Sequence, residues 1–309
     1  MTIANPPRDV RATQRALLLM TASATCFGAM AFAAKLASAR LSGSEVAMIR
    51  FAVGLLPALL VPRYRRSALT FQRLDLLFLR GFFGGIAVLC YFIAIAHISV
   101  GVATLLNYTA PLFSGIFSML FLGERISAKV LIPAPIALAG VFLVVHAHAQ
   151  PGDILGFGRW ELVGVMSAVS SGVAVTAMRA ARRGENSWAV YASFCLLGLF
   201  TTAPGGISSW QTPRGDEWTS LAATSLFAIA AQLLLTFSLR WVDAMTVGVI
   251  SQLAVIVSMI LGATLIHEPI TALAAFGSLL TIGGIVGVVY VTSWSKPPIV
   301  SADEVAPES

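Results

Sequence analysis

Apolar residues fall in ten runs separated by short polar breaks, and each run is close to the roughly 20 residues that cross a bilayer as a helix. They cover 16–38, 45–61, 76–96, 100–122, 129–147, 160–179, 187–204, 218–239, 244–266 and 270–292, the last two divided only by His267-Glu268-Pro269. A membrane β-barrel would show alternating segments of about ten residues, and nothing here alternates. The pattern therefore predicts an all-α membrane protein with ten transmembrane helices. Composition agrees. The 309 residues are 57% hydrophobic and 11% charged, with a mean hydropathy of +0.85, whereas a soluble domain holds about a quarter charged residues.

The net charge of +6 invites a nucleic-acid reading until the basic residues are placed. With ten helices and both termini on one side, that side holds Arg8, Arg11, Arg15, Arg63, Arg65, Arg66, Arg73, Arg125, Lys129, Arg179, Arg182, Arg183, Arg240 and Lys296, and the other only Arg40, Arg159 and Arg214. Fourteen against three is the asymmetry of cytoplasmic loops. It accounts for the basic balance without a nucleic acid and puts both termini in the cytoplasm, in the cell inner membrane. The start, Arg11 to Arg15 followed by ALLLMTASATCFGAMAFAA, has the look of a signal peptide, but removing it would leave nine helices and break the charge alternation. Cys26, Cys90 and Cys195 all fall inside spans as small apolar packers, so no disulfide is expected. Residues 293–309, with two adjacent prolines and scattered acids, read as a disordered cytoplasmic tail.

Laid against itself with a shift of 144 residues, the chain aligns Lys35 with Arg179, Gly28 with Gly172, Ser114 with Ser258, Glu124 with Glu268 and Gly140 with Gly284, in one register. The two units are 16–147 (helices 1–5) and 160–292 (helices 6–10). Five spans is an odd number, so the second unit enters the membrane from the opposite side. Two inverted five-helix repeats are the architecture of carriers whose substrate site lies near the midplane where the halves meet.

The polar residues inside the spans are the candidate site. Asn107, Tyr108 and Thr109 interrupt the fourth run, followed by Pro111. Proline has no N–H, so it frees the carbonyl of residue 107 and predicts a kink. Such a break is costly in hydrocarbon unless it lines a wet cavity or packs on another helix. The shift places Ser251 and Gln252 at the same depth in the ninth run, but Val255 stands where Pro111 does, so the bend is expected on one side only. Tyr91 in the third run, and Gln232 and Thr236 four apart on one face of the eighth, complete the substrate-binding candidates. Glu124 and Glu268, just beyond their helices, read as gating or turn-fixing residues. For Lys35 near a span end, Arg50 about five residues into the second span and Arg80 at the opening of the third, snorkelling toward the interface is the expected role, the alternative for Arg50 and Lys35 being a place near the outer mouth that draws in anions or carboxylates.

The stretch LLNYTAPLFSGIFSMLFLGERIS, the Arg50-Phe51 pair and the second copy ending IHEPIT resemble the ten-helix EamA-type transporters of the drug/metabolite transporter superfamily, over about residues 16–292. The second copy departs from the pattern, with His267 for Gly and Pro269 for Arg. The resemblance implies a central cavity lined from both halves, the fourth and ninth helices included. It also implies carriage of small metabolites, often outward: amino acids and their derivatives, nucleotide-like compounds, vitamins or opine-type metal chelators.

Every carboxylate lies at a span edge or in a loop, so no buried proton relay is expected. His97, His146, His148 and His267 all map to the outer side and read as interfacial rather than metal ligands. No paired intramembrane aspartates, HExxH or phosphate-binding glycine loop is present, which argues against an enzyme, a metal site or a cofactor. The expected partners are a small-molecule substrate and the lipid bilayer, and a homodimer is compatible with the sequence. A channel or a non-transporting scaffold is the alternative to an exporter.

Overall fold

The computed structural model describes residues 10–60, 73–123, 128–147, 153, 157–181, 187–238 and 244–294. Residues 295–309 and Glu124 lie outside the described residues, as do the side chains of Arg179 and Thr236; Ser293 and Trp294, expected in the disordered tail, instead continue the last helix. The helices are α1 (Val10–Ala37), α2 (Gly43–Leu60), α3 (Leu74–His97), α4 (Val100–Asn107), α5 (Ala110–Leu122), α6 (Pro133–His146), α7 (Arg159–Ala181), α8 (Ser187–Ser208), α9 (Gly215–Ser238), α10 (Ala244–Ser251), α11 (Leu253–Leu265) and α12 (Ala272–Trp294). Helices α4 and α5 together form the fourth span, and α10 and α11 the ninth. Ten segments are long and apolar enough to cross a membrane. Large side chains such as Leu18, Phe121, Phe200 and Leu279 are more than 60% exposed, which is unfavourable in water and natural on a surface that faces lipid.

The breaks between helices have local causes. Helix α3 stops where Ile98 turns extended, and Ser99 caps α4 by accepting the N–H of Val102 at 3.3 Å. Helix α5 ends on Gly123 in the left-handed conformation, φ 64°. The repeat-equivalent position is His267, which also has a positive φ, 55°. Both copies thus turn the same way after the long helix, one with a residue suited to it and one without.

The packing is mostly between the two halves, and it comes in exchanged pairs. Span three packs heavily on span six (α3 on α7), and its counterpart, span eight on span one (α9 on α1), does the same. Span four on span six (α5 on α7) is matched by span nine on span one (α11 on α1). The self-related pairs, two on seven (α2 on α8), four on nine (α4 on α11) and five on ten (α6 on α12), also touch. A two-fold relation between inverted halves produces this list. At the fifth–tenth contact the backbones nearly meet: a Cβ on Gly284 would lie 2.7 Å from the Cα of Ala137, and one on Gly140 would lie 2.6 Å from the carbonyl of Gly277. Only glycine fits there, and Gly140 and Gly284 are repeat mates.

One expectation needs correcting. The fourth span is interrupted at Tyr108 and Thr109, but the ninth is interrupted too, at Gln252, although it carries no proline. Both breaks tighten to three-residue spacing: Thr109 N–H donates to Leu106 O (3.1 Å) and Leu112 N–H to Thr109 O (2.9 Å), while Gln252 N–H donates to Val249 O (3.2 Å) and Val255 N–H to Gln252 O (3.1 Å). Pro111 sits in the first turn of α5, where its missing N–H costs nothing. The interruption belongs to the architecture, and the proline only accommodates it.

Candidate functional site

At the first break, Asn107 is half-buried and its side-chain oxygen accepts two hydroxyls of the sixth span, Ser167 Oγ at 2.7 Å and Ser171 Oγ at 3.3 Å. Thr109 is buried and its hydroxyl donates to the Leu106 carbonyl at 2.6 Å, the same oxygen that accepts its backbone N–H, so its own donor is satisfied within the turn. Tyr108 is half-buried and packs on the cluster to which Leu105, Leu106, Val144 and, from the ninth span, Val255 contribute. Tyr91 is 4% exposed and its hydroxyl pairs at 2.8 Å with Thr104, one turn before the break, which in turn donates to Val100 O at 2.7 Å.

The second break presents a different pair. Ser251 is half-buried and donates to the Val247 carbonyl at 2.6 Å. Gln252 is 3% exposed and its Oε1 is buried with no hydrogen-bond partner. An amide oxygen withdrawn from water and left without a donor is unfavourable by about 1–3 kcal/mol. The structure thus groups Tyr91, Asn107, Tyr108 and Thr109 at one interruption and brings it against the span that carries the other. Gln232 is half-buried on the eighth span, next in the chain to Ala231, whose carbonyl accepts Ser23 Oγ at 2.7 Å.

One end of the bundle is tied shut across the halves. Glu268 accepts the N–H of Val100, at the start of α4, through both carboxylate oxygens (3.2 and 3.0 Å) and lies 3.6 Å from Lys35 Nζ. Lys35 also donates to the carbonyls of Ile95 and Ile98 at 3.0 and 2.7 Å. The ammonium is therefore held by three oxygens rather than extended freely to an interface. At the same end Arg40 pairs with Glu217 and donates to Gln211 Oε1 at 2.9 Å, and His97 stacks on Trp160 with ring centroids 3.5 Å apart. These contacts join the segments after spans one, three, five, seven and nine, which the alternating threading of ten spans puts on one side.

Two residues behave differently from the sequence expectation. Glu45, in the first turn of α2, is fully buried. Its Oε2 accepts only a long bond from Gln211 N–H (3.4 Å), and its Oε1 has no partner. Arg50 is 7% exposed with its guanidinium over aromatic rings, so it does not snorkel. For Arg50 the available signal was its depth, eight residues into an otherwise apolar helix; Glu45, in the first turn, carried no such signal.

Comparison with known proteins fits this geometry. Residues 14–146 and 158–290 each match the EamA-like transporter family. The chain is 30% identical over 267 residues to the Pseudopaline exporter CntI of Pseudomonas aeruginosa, covering 86% of this chain and 92% of that one. It is 28% identical to an uncharacterized transporter of Helicobacter pylori over 65% of this chain and 70% of that one. A solved structure, described only as the crystal structure of a protein, superposes with a TM-score of 0.62 at 20% identity, covering 92% of this chain and 99% of that one, a likeness of fold. With both halves matched and the inverted ten-helix architecture in place, the chain belongs to the EamA-like transporter family.

Proposed function

We propose that the chain exports small polar metabolites, amino acids or amino-acid-derived compounds with opine-type metallophores among them, by alternating access across the cell inner membrane. The observation that carries this reading is the pair of interruptions at repeat-equivalent depth, residues 108–109 and 252. Broken helices at matched positions of inverted halves are where transporters place substrate, because irregular backbone is tolerated only beside protein or a wet cavity. Asn107, Tyr108, Thr109, Tyr91, Ser251, Gln252, Gln232 and Thr236 are the substrate-binding set of this reading, with repeats at 16–147 and 160–292. Both termini lie in the cytoplasm, as the loop charges require, so the Lys35–Glu268 pair closes the outer mouth and Glu124 takes the equivalent inner place.

The name of the Pseudomonas relative supports the outward direction. Purified protein in liposomes tests the reading. Saturable counterflow of a metabolite that accumulates in the cytosol of cells lacking the protein is the expected result. Flux that neither saturates nor exchanges would indicate a channel, and the absence of flux for every metabolite that differs between the two cell types would refute transport.

A further inference from the structure

The least comfortable charges in the molecule are two arginines on adjacent spans. Arg50 is the eighth residue of the 18-residue helix α2, near the middle of that span. Arg80 lies about 9 Å along α3 from that helix's start, at a rise of about 1.5 Å per residue. Their side chains converge on one ring of the other half. The guanidinium carbon of Arg80 is 4.2 Å from the centroid of Phe194 and that of Arg50 is 5.4 Å from it, so the two charges are less than about 10 Å apart. The Nε of each is buried without a hydrogen-bond partner, and no carboxylate lies within ion-pair distance of either among the described residues. Around them stand Phe51, Tyr191 and Cys195, all buried. Tyr191 spends its hydroxyl proton on the Gly54 carbonyl at 2.7 Å, which leaves only a lone pair toward the cations.

Aromatic stacking alone is a poor reason to hold two cations here. It satisfies the faces of the guanidinium planes but not their in-plane N–H donors, and like charges in an apolar surrounding repel. What fits is an oxyanion, which a pair of planar forks grips through parallel hydrogen bonds. In this conformation the site is closed: a Cβ on Gly81 of α3 would lie 2.6 Å from Leu197 of α8, and one on Gly84 would strike the Arg80 guanidinium itself, so an anion enters only when the two halves part. Depth then decides between sources. A lipid phosphate stays near the surface of a hydrocarbon layer about 30 Å thick, whereas Arg50 is at mid-helix, within reach of a solute that crosses between the halves.

We propose that Arg50 and Arg80 form an oxyanion subsite at the seam of the two repeats, and that the cargo carries a carboxylate that docks there. This rests on the carrier reading and deepens it by assigning to two named residues the recognition of the carboxylate that amino-acid-derived cargo carries.

Full-length protein in nanodiscs of phosphatidylcholine is titrated with potassium succinate and, separately, with inorganic phosphate, against potassium chloride at equal ionic strength. The thermal unfolding midpoint and tryptophan emission are read together, Trp188 lying edge-on to Tyr191 at 6.0 Å. Succinate is expected to bind saturably, at least tenfold more weakly in Arg50→Gln and Arg80→Gln, with Arg50→Lys in between because it keeps the charge and loses the fork. Arg80→Gln carries the test alone if Arg50→Gln does not yield monodisperse protein. A response to succinate and phosphate no different from chloride, or equal succinate affinity in wild type and both glutamine variants, overturns the proposal. So does stabilisation by phosphatidylglycerol in the disc that is lost in the variants while soluble anions do nothing, which would make the pair a lipid clamp. Binding is read here without transport, so failure leaves the carrier reading standing; succinate binding without counterflow of any metabolite would instead sink that reading.

Discussion

Replacing Glu268 by Gln removes a charge from the closed end while keeping the shape of the side chain. Glu268 receives the Val100 N–H at 3.2 and 3.0 Å and lies 3.6 Å from Lys35, with side-chain exposures of 16% and 21% for the two residues. A hydrogen bond to a charged group contributes about 1.5–3 kcal/mol and a neutral one about 0.5–1.5, so the backbone contact weakens by roughly 1 kcal/mol. The ion pair, partly exposed, adds up to about 1 kcal/mol. Lys35 keeps the carbonyls of Ile95 and Ile98 and is not orphaned. The sum, about 1–2 kcal/mol, shifts the closed–open balance about 5–30-fold toward open. To read it, Cys26, Cys90 and Cys195 are changed to Ala and a cysteine is introduced at Val102, which is 6% exposed and lines a small cavity with Gly101, Met259 and Glu268. An impermeant maleimide added outside should label that cysteine about 5–30-fold faster in Glu268→Gln. A rate within twofold of the parent, or the same acceleration from Arg73→Gln in the exposed pair with Asp75 at the other end, would refute the idea that this carboxylate holds the mouth shut.

Three further outcomes follow from the geometry. Asn107→Ala deprives Ser167 and Ser171 of their acceptor, at a cost of about 1–2 kcal/mol, and counterflow should fall at least tenfold while folded protein remains in the membrane; unchanged kinetics would remove Asn107 from the site. His267→Gly relieves a non-glycine residue at φ 55° and should stabilise by about 0.5–1 kcal/mol, the release of left-handed strain offset by glycine's greater freedom when unfolded; a lowered melting temperature would contradict this. Gly284→Val pushes a side chain into the backbone of Ala137 and should destabilise by about 1–3 kcal/mol, visible as a lower unfolding midpoint, and an unchanged midpoint would show that the fifth–tenth contact is looser than described.

The ten spans were readable because a run of about 20 apolar residues has few other uses, and the inversion followed from the odd number of helices per repeat. The break at Asn107 to Thr109 was readable through Pro111. Its twin at Gln252 was not, because no residue there forbids a helix. That turn is tightened by two three-residue hydrogen bonds and by packing of the ninth span on the fourth, and long-range packing leaves no mark on local sequence. Arg50 and Arg80 were misjudged for a related reason. Position along a helix gives depth, but the ring that draws both side chains inward, Phe194, is more than a hundred residues away. Glu45 sits at a helix start, where a carboxylate is ordinarily exposed, and only the neighbouring segment at Gln211 buries it. His267 could have been foreseen, since its repeat mate Gly123 occupies a position where helices end in the left-handed conformation.

The central claim is that two inverted halves expose one polar seam to each side of the membrane in turn. Single cysteines at Tyr108 and Gln252, in the cysteine-free background, test it most directly when labelled by impermeant reagent in sealed right-side-out and inside-out vesicles. Each position should react from both faces, with saturating cargo shifting reactivity from one face toward the other. Labelling of both positions from one face only, whatever the cargo, would contradict alternating access at this seam.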